Sequence, residues 1–356
     1  MKKILCAGGG TLGPVAPLLA VADRLREADN TIRILWAGTD SGPEREMIER
    51  RGIPFTSIPV AKLTRYASRQ LLTLPFDYMR ARMESARLLD REHPNAVLSA
   101  GGFTAVPVVR EAYRRRIPCL SHQLDYETGL SNRMIARYCR YVTTSFSYIH
   151  SPFPIGTTTY VIPTPTRFRK QNLPSRESAC RAFALDSTKP VLLVTGGGTG
   201  ARTLNDAMSH IRKRFPPEVQ ILHLTGRGKS PHLVSDGPGY VVLPFLADEM
   251  IAAYAAADLV VSRAGMGAIS ELAALQKSAI LVPLPNSPQM QNARALNDAV
   301  VIVEQGTDGW MEELRLAIES LLQDCERRRQ MGIALYNALP TDDGSALANL
   351  ALSVMV

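Results

Sequence analysis

Along most of the chain, short runs of apolar and β-branched residues alternate with longer amphipathic runs of helical period. KKILCAG precedes VAPLLAVADRLREA near the start, and PVLLVTGGG precedes TLNDAMSHIRKRF in the second half. Apolar strands that alternate with helices are typical of a parallel sheet covered by helices. Both halves carry such a series, and 356 residues exceed one ordinary core. The sequence therefore predicts an α/β protein with two Rossmann-like, parallel-sheet domains.

A change in composition separates the two series. The Pro- and Thr-rich stretch SPFPIGTTTYVIPTPTRF lies between them and is typical of a linker. We predict an N-terminal domain over residues 1–160 and a C-terminal domain over residues 161–340. Residues 341–356 should form a last helix that packs back towards the N-terminal domain.

Four glycine clusters share one position, after a strand and before a helix. A glycine there lets the backbone approach a phosphate, and the helix N-terminus beyond it supplies N–H groups and partial positive charge. One such loop could be a plain tight turn, but four at equivalent positions indicate a phosphate-bearing ligand in a cleft between facing domains. The clusters are Gly8–Gly10, Gly101–Gly102, Gly196–Gly198 and Gly265 with Gly267.

The first cluster also satisfies the dinucleotide-binding spacing through Gly8, Gly10 and Gly13. A dehydrogenase would need an acidic residue about 20 residues past this loop. Asp40 lies well beyond that position, after LWAGT. The spacing therefore does not support a dehydrogenase.

The net charge of +8 lies entirely in the N-terminal part of the chain. Residues 1–150 hold 22 Lys and Arg against 14 Asp and Glu, whereas residues 151–356 hold 19 of each. A basic half indicates an anionic partner: a phosphorylated substrate, an anionic membrane surface or a nucleic acid. Nucleic acid is disfavoured, because aromatic residues make up only 6% and no reading motif is present.

Other features favour a cytoplasmic protein without a metal centre. No stretch approaches the roughly 18 apolar residues of a membrane-spanning helix, and no signal peptide is visible. The five cysteines are scattered, which is typical of reduced, buried thiols. The six histidines show no ligand spacing with carboxylates, so no metal is expected.

Several segments, in order, resemble the MurG-type members of glycosyltransferase family 28. They are GGGTLGPVAPLLAVA, SAGGFTAVPVV, SHQLDYETGLSNRMIA, VTGGGTGARTLN, HLTGRG, FLADEMIAAYAAADLVVSRAGMGAISELAA and PQMQNARAL. The resemblance implies the GT-B fold, two Rossmann-like domains facing a central cleft. It implies inverting transfer of GlcNAc from UDP-GlcNAc to undecaprenyl-diphosphate-MurNAc-pentapeptide, which converts lipid I to lipid II in peptidoglycan synthesis. It also implies no cofactor and a peripheral site on the inner face of the plasma membrane.

The resemblance assigns most of a nucleotide-sugar site to the second half. Glu271 would hold the ribose hydroxyls of UDP, as a carboxylate early in a helix can. Leu246 would read the uracil edge through its backbone, and Arg167 would contact a phosphate. The remaining diphosphate contacts would come from two glycine loops. These residues are Gly197, Gly198 and Thr199 on one side and Met266, Gly267 and Ala268 on the other.

The sugar segment NSPQMQNARAL departs in part from the family pattern. Gln289 and Asn292 match it and would offer amides to sugar hydroxyls, with Gln291 as a nearby addition. Asn286 stands where the family has Asp, and Pro288 replaces a glutamine. The resemblance therefore implies UDP more firmly than GlcNAc, and another hexose stays open.

The predicted acceptor site departs most from the family pattern. The resemblance places the acceptor diphosphate at two glycine loops, but Pro14 stands where the family has a histidine and Gln123 where it has a glutamate. An inverting transfer needs the acceptor hydroxyl deprotonated. We therefore predict Asp125 as the general base or as the residue that orients the hydroxyl, and His122 as a packed strand histidine. The predicted diphosphate-binding residues are Gly10, Thr11, Gly13, Gly101 and Gly102.

A basic and apolar segment, AKLTRYASRQLLTLPFDYMRARMESARLL, could contact a membrane. Apolar side chains beside cations would settle on an anionic bilayer, although an ordinary helix with a solvated basic face has the same pattern. The residues concerned are Lys62, Arg65, Arg69, Arg80, Arg82 and Arg87 with Leu71, Leu72, Leu74 and Phe76.

Three alternatives stay open at this point. Another UDP-sugar-dependent lipid glycosyltransferase of the same fold would differ in its acceptor. A UDP-GlcNAc epimerase with a related two-domain fold would need more acid and base residues than the loop with Pro14 offers. A non-catalytic UDP-sugar-binding protein would fit the losses on the acceptor side.

Overall fold

The computed structural model describes residues 1–10, 13–40, 44–59, 70–198, 200–230, 232–237 and 239–355, with the side chains of residues 70–73 and 297 left aside. It divides the chain into two compact units. Unit 1 comprises Met1–Arg167 with Asp342–Val356, and unit 2 comprises Phe168–Thr341. The sequence-based boundaries at residues 160 and 340 lie close to these limits.

Strands and helices alternate through most of both units, as the sequence pattern predicts. The strands are β1 Lys3–Ala7, β2 Arg33–Gly38, β3 Phe55–Ser57, β4 Ala96–Ser99, β5 Cys119–Gln123, β6 Tyr141–Thr144, β7 Thr159–Val161, β8 Thr164–Pro165, β9 Val191–Thr195, β10 Gln220–Leu224, β11 Tyr240–Leu243, β12 Leu259–Ser262, β13 Ala279–Leu281, β14 Val301–Ile302 and β15 Thr341–Asp342. The helices are α1 Val15–Ala28, α2 Glu44–Glu49, α3 Gln70–Glu92, α4 Ala105–Arg114, α5 Leu130–Ala136, α6 Arg176–Ala182, α7 Arg202–Ile211, α8 Met250–Ala256, α9 Met266–Ala274, α10 Gln289–Arg294, α11 Trp310–Gln323, α12 Cys325–Ala338 and α13 Ser345–Ser353.

Unit 1 is built on a parallel sheet. Over the described ranges it has seven strands in the order β3-β2-β1-β4-β5-β6-β7, and Leu5 of β1 pairs with Leu35 on one side and Val97 on the other. Residues 4–7 of β1 are fully buried, because helices cover both faces of the sheet. This explains why β1 reads as a continuous apolar run instead of an alternating one.

Unit 2 repeats the arrangement. Its described part forms a six-stranded parallel sheet in the order β11-β10-β9-β12-β13-β14. One face of its core gathers apolar residues of the strands with Leu204 and Met208 of α7 and Leu314 of α11. In both sheets the strand order reverses beside the first strand, between β1 and β4 and between β9 and β12. Ligands of such sheets bind outside the carboxyl ends of the strands at that switch point.

The end of the chain returns to unit 1. The Thr166 N–H donates to the Asp342 carbonyl oxygen at 2.9 Å. Helix α13 packs on α1, where Arg24 Nε donates to Ser345 Oγ at 3.1 Å and lies 3.2 Å from an Asp343 carboxylate oxygen. Gly344 fits closely, since a Cβ there would lie 2.8 Å from the Val21 nitrogen. Within the part of the chain described, no helix combines the length and apolar character needed to cross a bilayer.

Candidate functional site

Two glycine loops of unit 1 touch at the switch point of its sheet. One follows β1 and the other follows β4, which are neighbouring strands. A Cβ at Gly8 would lie 3.2 Å from the Gly101 carbonyl oxygen, and one at Gly102 only 3.0 Å from the Gly9 oxygen. Side chains would therefore force the loops apart, and glycine permits this backbone contact. Of the predicted acceptor-binding residues, Gly101 and Gly102 thus lie against the loop that carries Gly10, at the carboxyl end of the sheet.

The individual residues of these loops differ in their surroundings. Gly101 and Gly102 have φ angles of +100° and +92°, in the range that favours glycine, and the Gly101 N–H donates to Ser99 Oγ at 3.0 Å. Gly13 lies half-buried in the turn before α1. Thr11 lies outside the described residues.

A buried glutamate that the sequence analysis did not single out lies beneath the first loop. Glu44, the first residue of α2, is fully buried. Its Oε1 accepts the Gly10 N–H at 3.1 Å, the Thr39 N–H at 2.9 Å and the Thr39 hydroxyl at 2.6 Å. The N–H of Gly10, predicted to bind the acceptor diphosphate, is thus engaged by an internal carboxylate. In sequence, Glu44 is an ordinary first-turn acid, and only the adjacency of β1 and β2 reveals its contact.

This arrangement predicts a structural cost for removing the Glu44 side chain. Glu44→Ala leaves three donors without their acceptor, two of them buried, at a cost of about 3 kcal/mol. For a unit of this size, that loss lowers the Tm by roughly 6–12 °C. Differential scanning calorimetry measures it. Glu49→Ala on the same helix removes an exposed pair with Arg45, and should lower the Tm by less than about 2 °C. An equal fall in Tm for the two variants would contradict the role of Glu44 in holding the Gly10 loop.

His122 is enclosed at the end of β5. Its Nδ1 lies 2.9 Å from Thr143 Oγ1 and its Nε2 lies 3.3 Å from Ser145 Oγ. Complete burial lowers the pKa of His122 to about 3, so the imidazole is neutral at physiological pH. Both ring nitrogens have partners inside the protein, which is the arrangement of a packed core histidine and not of a base that meets a substrate.

The two acids of the following loop differ in exposure. Asp125 is half-buried two residues past the end of β5, whereas Glu127 is exposed. Because β5 is adjacent to β4, this loop leaves the same edge of the sheet as the glycine loops. Asp125 therefore lies at the edge where the resemblance expects the acceptor.

In unit 2, the loop after β9 contains the first predicted diphosphate contacts. A Cβ at Gly196 would lie 2.3 Å from the Ala201 nitrogen, so this turn requires glycine. Gly197 has a φ of +74°, and its N–H donates to Thr195 Oγ1 at 3.2 Å. Gly198 is exposed at the tip, and Thr199 lies outside the described part of the chain.

The loop after β12 leads into α9, which offers backbone donors at its start. No side chain caps the helix at Gly265. Met266 and Gly267 open its first turn, where an α-helix leaves N–H groups without intrahelical acceptors. The Ala268 N–H donates to the Gly265 carbonyl at 3.0 Å. The start of α9 is therefore suited to an anion, with Met266 and Gly267 as the better placed donors.

Glu271 lies on the second turn of α9 and is 7% exposed. Its Oε2 accepts the hydroxyl hydrogen of Tyr254, at 3.0 Å, from α8. The Tyr254 ring is itself buried and meets Phe168 edge-on, at 6.1 Å between ring centroids. The tyrosine therefore fixes the orientation of the carboxylate, a contact that no motif in the sequence indicates.

Two amide side chains of the sugar segment are hydrogen-bonded to backbone groups of the protein. The Gln289 Oε1 accepts the Leu284 N–H at 2.9 Å, which closes the turn before α10. Asn286 has a φ of +54°, a conformation that Asn tolerates better than most residues. Asn292 is fully buried and its Nδ2 donates to the Ala264 carbonyl at 3.2 Å, whereas Gln291 is exposed. Asn292 thus joins α10 to the loop that starts α9.

Arg263, which no motif in the sequence singles out, joins the end of β12 to the chain after β13. It is buried, and its Nη1 donates to the carbonyls of Val282, at 2.9 Å, and Pro283, at 3.3 Å. Burial lowers the pKa of Arg263 from its usual value. The signal that the sequence offers is its position in SRAG, at the end of a strand. Arg263 fixes the chain after β13, which carries the sugar segment.

The two remaining residues predicted to contact the UDP-sugar are distant in sequence from these loops. Leu246 is half-buried after β11, next to Phe245, whose ring centroid is 4.9 Å from the Arg227 guanidinium carbon. Arg167 is half-buried and is the last residue of the first segment of unit 1. Among the described side chains, no group of three His, Cys, Asp or Glu residues could hold a metal ion.

Comparison with known proteins identifies the family. The N-terminal domain of glycosyltransferase family 28 matches residues 4–144 and its C-terminal domain matches residues 191–339. The chain belongs to glycosyltransferase family 28. The first match covers the first sheet up to β6 and the second covers β9 to β14, and the predicted glycosyltransferase assignment is confirmed.

Two relatives that match nearly the whole chain carry the same name. A protein of a Nocardioides species is 36% identical over 365 residues, covering 99% of this chain and 98% of its own length. A protein of Lachnospira eligens is 33% identical and covers 98% of both chains. Both are named UDP-N-acetylglucosamine–N-acetylmuramyl-(pentapeptide) pyrophosphoryl-undecaprenol N-acetylglucosamine transferase.

A solved structure of the family extends the agreement to the fold. The crystal structure of Acinetobacter baumannii MurG matches with a TM-score of 0.73 at 24% identity, covering 99% of this chain and all of that one. The likeness confirms the predicted fold class, an α/β protein of GT-B type with two parallel-sheet domains.

Proposed function

We propose that this family 28 glycosyltransferase transfers GlcNAc, with inversion, from UDP-GlcNAc to undecaprenyl-diphosphate-MurNAc-pentapeptide. The observation that carries the proposal is the 36% identity to a transferase of that name over 99% of this chain. The buried Glu271, oriented by Tyr254 beside an uncapped helix start, supports a UDP site in unit 2. The donor and acceptor are both diphosphates, which fits the glycine loops at both switch points.

The donor would be held mainly by unit 2. Glu271 accepts hydrogen bonds from the ribose hydroxyls, and the N–H groups of Met266 and Gly267 meet the diphosphate. Gly197 and Gly198 approach it from the loop after β9. Helix starts and basic residues balance the charge of the leaving UDP, and no metal or other cofactor is proposed. Gln289 contacts the sugar, and the buried Asn292 supports the segment from within.

The acceptor would meet the carboxyl edge of the sheet in unit 1. Gly101, Gly102 and Gly13 provide backbone for its diphosphate, while Glu44 holds the Gly10 loop from behind. Asp125 orients the attacking hydroxyl or removes its proton. The hydroxyl oxygen then forms the new bond to the anomeric carbon as UDP leaves.

A coupled assay of UDP release tests the reaction directly. The purified chain is incubated with UDP-GlcNAc and a lipid-linked, diphosphate-bearing MurNAc-pentapeptide, then with acceptors that lack the peptide or carry another sugar. The proposal predicts release only with the muramyl-pentapeptide acceptor and a preference for UDP-GlcNAc over UDP-glucose. Release with a different lipid acceptor would assign another lipid glycosyltransferase activity. Calorimetric UDP binding without turnover on any acceptor would make the protein a UDP-sugar binder.

An exposed surface of unit 1 fits a membrane-bound acceptor. Phe76, Met79 and Met83 follow helical spacing along one face of α3, with Phe76 78% exposed. Helix α4 packs against α3, and Tyr113 on α4 is also exposed. Arg80, Arg87 and Arg114 are exposed on the same two helices. We call these seven residues the apolar–basic surface, and we propose that it contacts an anionic bilayer.

The other residues of the predicted membrane segment contribute less to this surface. Arg82 pairs with the buried Glu111 at 2.6 Å, which holds it against α4. Leu74 is half-buried. Lys62, Arg65 and Arg69 lie outside the described residues, as do the side chains of Leu71 and Leu72.

Removing apolar side chains from this surface should release the protein from vesicles. The double variant Phe76→Ser/Met79→Ser loses side chains whose burial is worth about 1.5–3 kcal/mol each, so its partition onto anionic vesicles should fall at least ten-fold. Co-sedimentation with phosphatidylglycerol vesicles measures this. The matched control is Val234→Ser/Leu316→Ser, which alters exposed residues of unit 2. If both double variants bind vesicles like the native chain, the apolar–basic surface does not contact the bilayer.

A further inference from the structure

Both polar atoms of the Gln123 side-chain amide, at the end of β5, are hydrogen-bonded. Its exposed fraction is only 2%. The Oε1 atom accepts an N–H of Asn132 Nδ2 at 2.6 Å. The Nε2 group donates to two backbone carbonyls of the following loop, Asp125 at 2.7 Å and Glu127 at 3.2 Å. The amide therefore bridges α5 and the loop that carries Asp125.

The orientation of this amide follows from its partners. A backbone carbonyl can only accept, so the end of Gln123 that faces two carbonyls must be the NH₂ group. Asn132 is fixed by the same reasoning, because its Nδ2 also donates to the His122 carbonyl at 3.4 Å while its Oδ1 accepts from Ser121 Oγ at 3.3 Å. The network leaves each amide one arrangement that satisfies all its atoms.

A tyrosine braces the loop from its other side. The Tyr148 hydroxyl donates to the Tyr126 carbonyl at 3.0 Å and to the Asp125 carbonyl at 3.4 Å. Burial raises the pKa of Tyr148 to about 12, so this donor keeps its proton. The Tyr126 ring packs edge-on against Phe146, at 5.3 Å between centroids. Two donors from different elements thus converge on the backbone at residue 125.

We infer that Gln123 is a positioning residue for the transfer reaction, because its side-chain amide fixes the backbone of residues 125–127 and with it the carboxylate of Asp125. The inference rests on the proposed function, in which Asp125 acts on the acceptor hydroxyl. Gln123 does not touch the substrate, since it is buried and both its polar groups are used inside the protein. A base displaced by about 1 Å loses much of its effect, so the bridge has a direct consequence for rate.

The chemistry of the bridge requires a donor at the Nε2 position. In Gln123→Glu one carboxylate oxygen can still accept from Asn132, but the other is placed against two carbonyl oxygens. An ionised carboxylate repels them and moves the loop. A protonated carboxyl group instead donates one hydrogen bond and restores part of the bridge. Burial favours the protonated form, so the defect of this variant should grow as the pH rises.

Steady-state kinetics of Gln123→Glu between about pH 6 and pH 8.5 test the inference. At the upper end, kcat should fall about 10- to 100-fold. KM for UDP-GlcNAc should change less than about two-fold, because the Glu271 site lies in unit 2. The ratio of native to variant kcat should shrink as the pH falls. Gln323→Glu makes the same chemical change at an exposed position of α11 and should leave kcat, KM and the pH profile unchanged.

Tyr148→Phe provides a second test that does not depend on the stability of Gln123→Glu. It removes only the hydroxyl that donates to residues 125 and 126, and kcat should fall about two- to five-fold. The unfolding transition in differential scanning calorimetry reports whether each variant is folded, since both substitutions lie in unit 1. Native kcat in Tyr148→Phe, or a folded Gln123→Glu with native kcat or a pH-independent defect, would overturn the inference. If Asp125→Asn is also fully active, the proposed role of Asp125 fails as well, whereas an inactive Asp125→Asn beside a native Gln123→Glu refutes the positioning role alone.

Discussion

Asp125→Asn should lower kcat by about 10²- to 10⁴-fold, the range by which a positioned general base accelerates a reaction. The substitution keeps the shape of the side chain and removes its capacity to take a proton. Asp125 is the half-buried acid of the loop after β5, and the nearby histidine has both ring nitrogens bound inside the protein. Single-turnover measurements with the lipid acceptor would separate the chemical step from product release.

The affinity for UDP-GlcNAc distinguishes a loss of turnover from a loss of donor binding, and the Tm of the variant reports structural damage. Calorimetry should give the same dissociation constant for Asp125→Asn and the native chain. Glu127→Gln is the matched control, since it neutralises an exposed acid of the same loop and should retain most of the activity. Near-native turnover in Asp125→Asn, or an equal loss in Glu127→Gln, would remove Asp125 from the mechanism.

Glu271→Gln should weaken UDP binding about 10- to 100-fold. A hydrogen bond to a charged group contributes about 1.5–3 kcal/mol, and the ribose offers two hydroxyls to one carboxylate. The amide oxygen can still accept from the Tyr254 hydroxyl, so the fold should keep its stability. Titration calorimetry with UDP and with UDP-GlcNAc measures the loss, and the same factor should appear with both ligands because the ribose is common to them.

Two further variants isolate the ribose contact. Tyr254→Phe removes the partner that orients the carboxylate and should weaken UDP binding by about two- to five-fold. Glu313→Gln neutralises an exposed carboxylate in the first turn of α11, also in unit 2, and should not change binding. Native UDP affinity in Glu271→Gln would place the ribose elsewhere and remove the main structural support for a UDP site in unit 2.

The architecture could be predicted because it depends on local periodicity. Most buried strands are largely apolar runs, and the glycines after β1, β4 and β9 mark the carboxyl ends of parallel strands. The positions of Gly101 and Gly197, at the switch points of the two sheets, follow from that pattern. The sequence pattern does not give the strand order within each sheet, because that order depends on packing between segments far apart in sequence.

The contacts within the candidate site could not be predicted for the same reason. Glu44 reaches Gly10 across 34 positions of sequence, and Tyr254 reaches Glu271 across 17. Gln123 looks in sequence like the loss of an acid, yet in the structure it is a fully bonded amide. Asn292 matches a sugar-binding pattern, but its burial and its bond to Ala264 assign it a supporting contact. Residue type indicated the place of each group, and only the fold shows what it touches.

The return of α13 to α1 affects the order in which the protein can mature during translation. The side chains of Leu347, Ala348 and Ala351 are buried, yet they belong to the same unit as β1. While the ribosome synthesises residues 168–341, the first unit lacks this helix and leaves apolar surface of α1 uncovered. Residues 168–341 form a contiguous segment that can complete its own sheet in the meantime. The nascent chain should therefore finish its second unit before its first, and the earlier-made half exposes apolar surface until α13 packs on α1.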